Sequence, residues 1–219
     1  MLTAAAYIKI FVALLVVVNP FGIIPVFVAM TANQTAADRK RIARVAAVAV
    51  AVVLIVSALL GERILEVFGI SLASFKVGGA ILIMLNAIAM MQASQTGVKQ
   101  TPEEAKEAED KTSIAVVPLA IPLLAGPGAI STTIIYAAES KAVLHLGIIV
   151  CCGLAVGLVT WIALRIATRV GYLMSQTAIN IATRLMGLLL AALAVEIFVS
   201  GAHDLWTNMR LKDMIGAML

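Results

Sequence analysis

Long apolar runs dominate the chain and fix what it can fold into. They lie at about 7–30, 42–60, 72–91, 114–137, 143–166 and 185–200. Each comes close to the roughly 20 residues that a helix needs to cross the hydrocarbon core of a bilayer. Hydrophobic residues make up 62% of the chain and charged residues only 13%. A soluble domain carries about a quarter charged residues, so this chain lacks the polar groups to cover a globular surface. The pattern predicts an all-α, polytopic membrane protein with six transmembrane helices. It speaks against a soluble enzyme.

The net charge of +4 comes from 16 basic and 12 acidic residues. The basic residues are scattered between apolar runs, without the stripe or interleaved aromatics of a nucleic-acid surface. Their placement reports orientation instead, because cytoplasmic loops gather Lys and Arg. With the N-terminus outside, ten basic residues fall inside: Arg39, Lys40, Arg41, Arg44, Lys99, Lys106, Lys111, Arg165, Arg169 and Arg184. Lys9, Arg63, Lys76, Lys141, Arg210 and Lys212 fall outside. The bias predicts a multi-pass protein of the cytoplasmic (inner) membrane with both termini outside the cytoplasm. The first run continues through Asn19 and Pro20 with no small-residue cleavage site, so it reads as a retained first helix.

Residues 92–113 form the only long polar stretch. Thr101-Pro102-Glu103-Glu104 within it has the signs of a helix start, and a short surface helix or a flexible tether are both expectations there. Thr35-Ala36-Ala37-Asp38 reads as another helix start. Cys151 and Cys152 are adjacent within an apolar run. Two neighbouring thiols make neither a disulfide nor a metal site and read as small apolar filler.

Internal similarity organises the rest. Asn19-Pro20-Phe21-Gly22 with Pro25 in the first run corresponds to Ala125-Gly126-Pro127-Gly128-Ala129 in the fourth, with Pro20 and Pro127 separated by 107 positions. Gly78 in the third run and Gly187 in the sixth are 109 apart. Two related halves of three helices must enter the membrane from opposite sides, because three is odd. The expectation is an inverted repeat: 1–92, a polar cytoplasmic linker at 93–112, and 113–219. This plan is typical of secondary transporters.

Proline removes a backbone donor and clashes with the preceding turn, so the first and fourth helices should break at these motifs. Irregular backbone persists in a membrane only where protein or a wet cavity satisfies it. Half-helix N-termini would then face an anionic group, and opposed C-terminal carbonyls would suit an ammonium. A small zwitterion fits both. The expected substrate-binding residues are Asn19, Pro20, Phe21, Gly22 and Pro25 from the first break, and Gly126, Pro127, Gly128, Ser131 and Thr132 from the second. Thr133 follows on the same helix, and Ser and Thr there could also bond their own backbone. Asn86, deep in the third run, is either a ligand or an interhelical bridge. Glu196 lies within the sixth run, where an unpaired carboxylate is costly. It is a candidate for proton coupling or a carboxylate reaching the interface. Gly153 and Gly157 form a small-xxx-small pattern suited to close helix packing.

No metalloprotease HExxH, phosphate-binding GxxxxGK[ST] or dinucleotide GxGxxG occurs, and no nucleophile sits beside a base. No cofactor, metal or enzymatic activity is expected.

The two proline-glycine motifs, 19–25 and 118–130, resemble those of the MarC family of bacterial and archaeal membrane proteins. Phe68-Gly69-Ile70-Ser71 with Gly78-Gly79, and Arg184-Leu185-Met186-Gly187-Leu188-Leu189-Leu190-Ala191, fit the same resemblance. It covers nearly the whole chain. It does not imply drug efflux. It implies transport of glycine- or alanine-sized neutral amino acids, as described for SnatA-type members, with the two motifs as the site. A passive channel or exporter of another small metabolite, or a membrane scaffold docking through 92–113, are the alternatives.

Overall fold

A computed structural model describes residues 3–32, 34–92, 124–170 and 176–216. The polar linker at 93–112 and the start of the fourth apolar run, with Pro118 and Pro122, lie outside the described residues.

Seven helices are described: α1 (Ala4–Val18), α2 (Ile24–Met30), α3 (Ala36–Val67), α4 (Leu72–Met91), α5 (Pro127–Ala137), α6 (Val143–Val170) and α7 (Gln176–Gly216). Local chemistry sets their ends. Thr3, Thr35 and Ser71 cap α1, α3 and α4 by accepting the amides of Ala6, Asp38 and Ser74, which satisfies one orphan donor of each first turn. The Thr35 hydroxyl also donates to Asp38 Oδ2 at 2.7 Å. The end of α3 is closed by Gly69 at φ +65. Its amide bonds the Glu66 carbonyl, and the Ile70 amide bonds the Leu65 carbonyl. This paired closure needs the left-handed backbone that glycine adopts without penalty.

Four of these helices, α3, α4, α6 and α7, are long and apolar enough to cross a membrane, and α1 is a shorter apolar helix. The first apolar run is divided at residues 19–23, as its proline-glycine motif predicts. Two runs understate their helices. The second, expected at 42–60, belongs to a helix of 32 residues, and the sixth, expected at 185–200, to one of 41. Hydropathy ends where charge begins, whereas backbone hydrogen bonding continues through the charged turns at the membrane boundary.

The core lies where the helices cross. Leu14, Phe27, Ile42, Leu54, Ile83, Leu124, Ile149, Leu164 and Leu190 are fully buried there. The most extensive pairing is α4 with α7, followed by α3 with α6. Helix α5 packs on α3 and α4, while α1 packs on α6, α5 and α7, and α2 on α6. Glycines permit the closest approaches. A Cβ at Gly157 of α6 would stand 2.8 Å from the Ala51 Cβ and 3.2 Å from the Ala47 carbonyl of α3. On α7, Gly187 faces Ala87 and Met90, and Gly201 faces Ala73 and Lys76 of α4. The small-xxx-small pattern thus serves packing within the chain. Outward surfaces are strongly apolar, with Val48, Val52, Leu85, Leu158 and Leu188 among many exposed aliphatics, as lipid contact requires.

Candidate functional site

Helix α1 ends at Asn19, whose backbone is left-handed (φ 47, ψ 59). Asparagine is among the few residues that tolerate this region. Its amide closes the last turn on the Leu15 carbonyl at 2.9 Å. Pro20 follows and is buried. The Gly22 amide then reaches back to both the carbonyl of Asn19, at 3.1 Å, and its side-chain Oδ1, at 3.2 Å. The chain resumes helix at Ile24, with Pro25 in the first turn. Phe21 points outward and is half exposed. The break is therefore an ordered turn held by Asn19.

The second motif starts a helix. Gly126 is the cap residue, with extended backbone and no side-chain bond, and Pro127 opens α5. The Gly126 carbonyl accepts from Ala129 and Ile130. Proline suits this position because its missing donor would be orphaned anyway. Gly128 is buried, and a Cβ there would lie 3.6 Å from both Val17 of α1 and Ile83 of α4. The last turn of α1 and the first turn of α5 therefore meet beside the middle of α4.

The polar residues after this second motif face inward. Ser131, Thr132 and Thr133 are all buried. Thr132 donates to the Gly128 carbonyl and Thr133 to the Ala129 carbonyl, each at 2.7 Å. These bonds stay within α5. Ser131 lies against Gly79 of α4. Asn86 is exposed on α4.

Glu196 lines a cavity of about 600 Å³ with Lys9 and Val16 of α1, Lys76 of α4, Tyr136 of α5, Glu139 and Ser200. Lys76 donates to Asp204 Oδ2 at 2.8 Å and to Ser200 Oγ at 3.3 Å, which ties α4 to α7. Burial pushes the Glu139 carboxyl above its ordinary value of 4.5, against the opposing pull of His145 and Lys76. A second cavity of about 400 Å³ lies between the end of α3 and the 138–142 loop, with Glu62, Arg63, Glu66, Ser140 and Lys141 on its walls. Among the described residues, none of those in the two proline-glycine motifs lines either cavity.

Next to the larger cavity lies a buried junction. His145, in the first turn of α6, is 1% exposed. Its Nε2 lies 2.8 Å from the Tyr136 carbonyl. A carbonyl only accepts, so Nε2 carries the proton and donates. Nδ1 is then free to accept from the Tyr7 hydroxyl at 3.2 Å. One ring thus joins α1, α5 and α6. Composition and spacing gave no sign of this junction, since Tyr7 and His145 stand 138 positions apart. Lys9 and Lys76 did carry a signal as charges within apolar runs, but not of their meeting. Among the described residues no three His, Cys, Asp or Glu are placed to hold a metal ion.

The pattern of the MarC family integral membrane proteins matches residues 4–206. The chain belongs to this family. MarC members from distant organisms are similar along nearly their whole length. The UPF0056 membrane protein YhcE of Escherichia coli (strain K12) is 42% identical over 204 residues, 93% of this chain and 94% of that one. A UPF0056 membrane protein of Methanocaldococcus jannaschii is 36% identical over 206 residues, covering 94% of this chain and 90% of its own. YvbG of Bacillus subtilis (strain 168), also a UPF0056 membrane protein, is 33% identical over 200 residues, covering 91% and 95%. No solved structure matches the chain.

Proposed function

We propose that this MarC protein is a secondary transporter of small neutral amino acids, of glycine or alanine size, across the cytoplasmic membrane. The observation that carries the reading is the meeting of the two motifs, with Gly128 of α5 packed on Val17 of α1 beside Ile83. A helix end and a helix start brought together in apolar surroundings present oriented carbonyls and amides to the same region. The ammonium and carboxylate of a zwitterion are complementary to such a pair. Asn19, Pro20, Gly22 and Pro25 on one side, and Gly126, Pro127, Gly128, Ser131 and Thr132 on the other, are the residues assigned to substrate in this reading, whereas Phe21 points outward and is left out. Their small size limits the guest. Asn86 is exposed and has no part in it. Glu196 is the proposed proton-coupling group.

The inverted-repeat plan belongs to the same proposal. Helices α2 and α5 end at Met30 and Ala137, and α3 and α6 begin at Ala36 and Val143; each pair is 107 positions apart. Packing supports it as well, since second helix pairs with second, third with third, and each second helix with the first helix of the other half. At about 1.5 Å per residue, α1 and α2 together extend roughly 33 Å, enough for one crossing. Six crossings with both termini outside the cytoplasm follow from this reading.

The test is uptake into proteoliposomes. Labelled glycine and alanine should enter saturably and show counterflow, and leucine should not. A channel would give uptake without saturation. Linear uptake, or none for any small amino acid, overturns the proposal, provided the reconstituted chain is folded.

A further inference from the structure

The larger cavity has a consistent gradient along its walls. On α1, Lys9 is followed inward by Val12 and Val16, and on α7, Ser200 and Glu196 give way to Leu193 and Leu189. On every wall the polar residues gather at the end where α1 and α4 begin. The apolar part opens sideways, because Ile8, Val12 and Leu189, all lining it, are 64%, 46% and 54% exposed. In a bilayer those side chains face lipid. The lining on α1 runs from Ala6 to Val16, a length of about 15 Å at the rise of an α-helix. That is the depth of roughly one leaflet of a hydrocarbon core about 30 Å thick.

We infer that this cavity is a binding site for one membrane phospholipid with a primary-amine, ethanolamine-type headgroup. The acyl chain lies along Val12, Val16, Leu189 and Leu193, and the headgroup meets the charged end. Charge selects the headgroup. Lys9 and Lys76 oppose Glu139 and Glu196, and Asp204 already holds Lys76 at 2.8 Å. The five groups sum to one excess negative charge, which disfavours an anionic lipid. Lys9 remains for the phosphate, and Glu139 and Glu196 take the ammonium. Carboxylates bond a primary ammonium through its N–H groups, which a quaternary choline lacks. Lys9 and Lys76 on the same walls repel a divalent cation. The upward displacement of the Glu139 proton affinity by burial fits a carboxylate that waits for a cationic partner.

The test is native mass spectrometry of the full chain released from bilayers of ethanolamine, choline and glycerol phospholipids with matched acyl chains. The monomeric chain should retain the ethanolamine lipid about fivefold over either of the others, the scale of one modest ion pair. The Glu139→Gln, Glu196→Gln double variant should lose that preference. Leu193→Trp, which fills the apolar floor, should lower retention of all three. Three results overturn the site: equal or better retention of the choline or glycerol lipid, an undiminished preference in the double variant, or displacement of the lipid by millimolar glycine. If the double variant does not fold, Leu193→Trp with wild-type lipid retention also overturns it.

Discussion

The Gly22 amide and the Asn19 side chain hold the first break closed on itself, with Gly22 N 3.2 Å from Asn19 Oδ1 and 3.1 Å from the Asn19 carbonyl. Asn19 therefore has two roles. Its backbone takes the left-handed conformation that ends α1, and its side chain stabilises the turn that follows Pro20.

These roles can be separated. Asn19→Gly keeps the backbone conformation and loses only the side-chain bond, worth about 1 kcal/mol. Asn19→Ala loses that bond and adds roughly 1–2 kcal/mol for a left-handed Cβ. Thermal unfolding in detergent should rank wild type above Gly and Gly above Ala. The reverse order of the two variants would show that the turn is not held by this backbone conformation. At Gly22 a Cβ would collide with the Asn19 amide group, so Gly22→Ala must displace that side chain and should behave like the loss of its bond.

Gly157 tests the contact between α3 and α6. The atoms facing a new Cβ there are the Ala51 Cβ and the Ala47 carbonyl. Neither is the end of a flexible side chain, so the helices must separate. Gly157→Ala should destabilise the chain by about 1–3 kcal/mol, the range for overpacking, and Gly157→Leu by more. Gly147, which has open space around its Cβ position, should accept alanine without loss. Equal unfolding midpoints for Gly147→Ala and Gly157→Ala would contradict the close approach.

The first break and the starts of α3 and α5 were legible because they depend on local chemistry. Pro20 and Pro127 lack amides, Asn19 tolerates a left-handed turn, and Thr35 caps from its own side chain. Helix lengths were less legible. Charged residues such as Arg39 and Asp204 end a hydropathy run without ending a helix, so the α7 turns that carry Asp204 to Lys76 were missed. The larger cavity was illegible as a unit. Lys9, Lys76, Glu139 and Glu196 come from different parts of the chain, and only packing makes them neighbours. Position within an apolar run does not distinguish its inward from its outward face, and Asn86 lies on an exposed face of α4.

Lys76 and Asp204 join α4 to α7. The Lys76 side chain is 15% exposed and that of Asp204 is 42%. The partly wet acid limits the coupling, and a double-mutant cycle of Lys76→Met and Asp204→Asn should give no more than about 1 kcal/mol. Asp204→Asn alone should cost less than Lys76→Met, since Ser200 still accepts from the lysine. A coupling near zero would mean that α4 and α7 are held by their apolar and glycine contacts alone.

Glu139 gives the chain a pH dependence whose sign is fixed by its surroundings. Burial raises its proton affinity, while Lys76 and His145 lower it by a smaller amount. Tyr136, Lys9 and Glu196 share the cavity that it faces. The folded chain therefore holds this proton more tightly than the unfolded chain. Its contribution to stability is full below the ordinary value of 4.5 and is lost as pH rises through the higher folded value. Glu139→Gln mimics the protonated acid at every pH. The variant should match wild type in acid and exceed it in unfolding midpoint above neutrality, with the difference opening upward from about pH 4.5. A variant less stable than wild type above neutrality, with the two equal in acid, would show that Glu139 is instead stabilised as a carboxylate by His145 and Lys76.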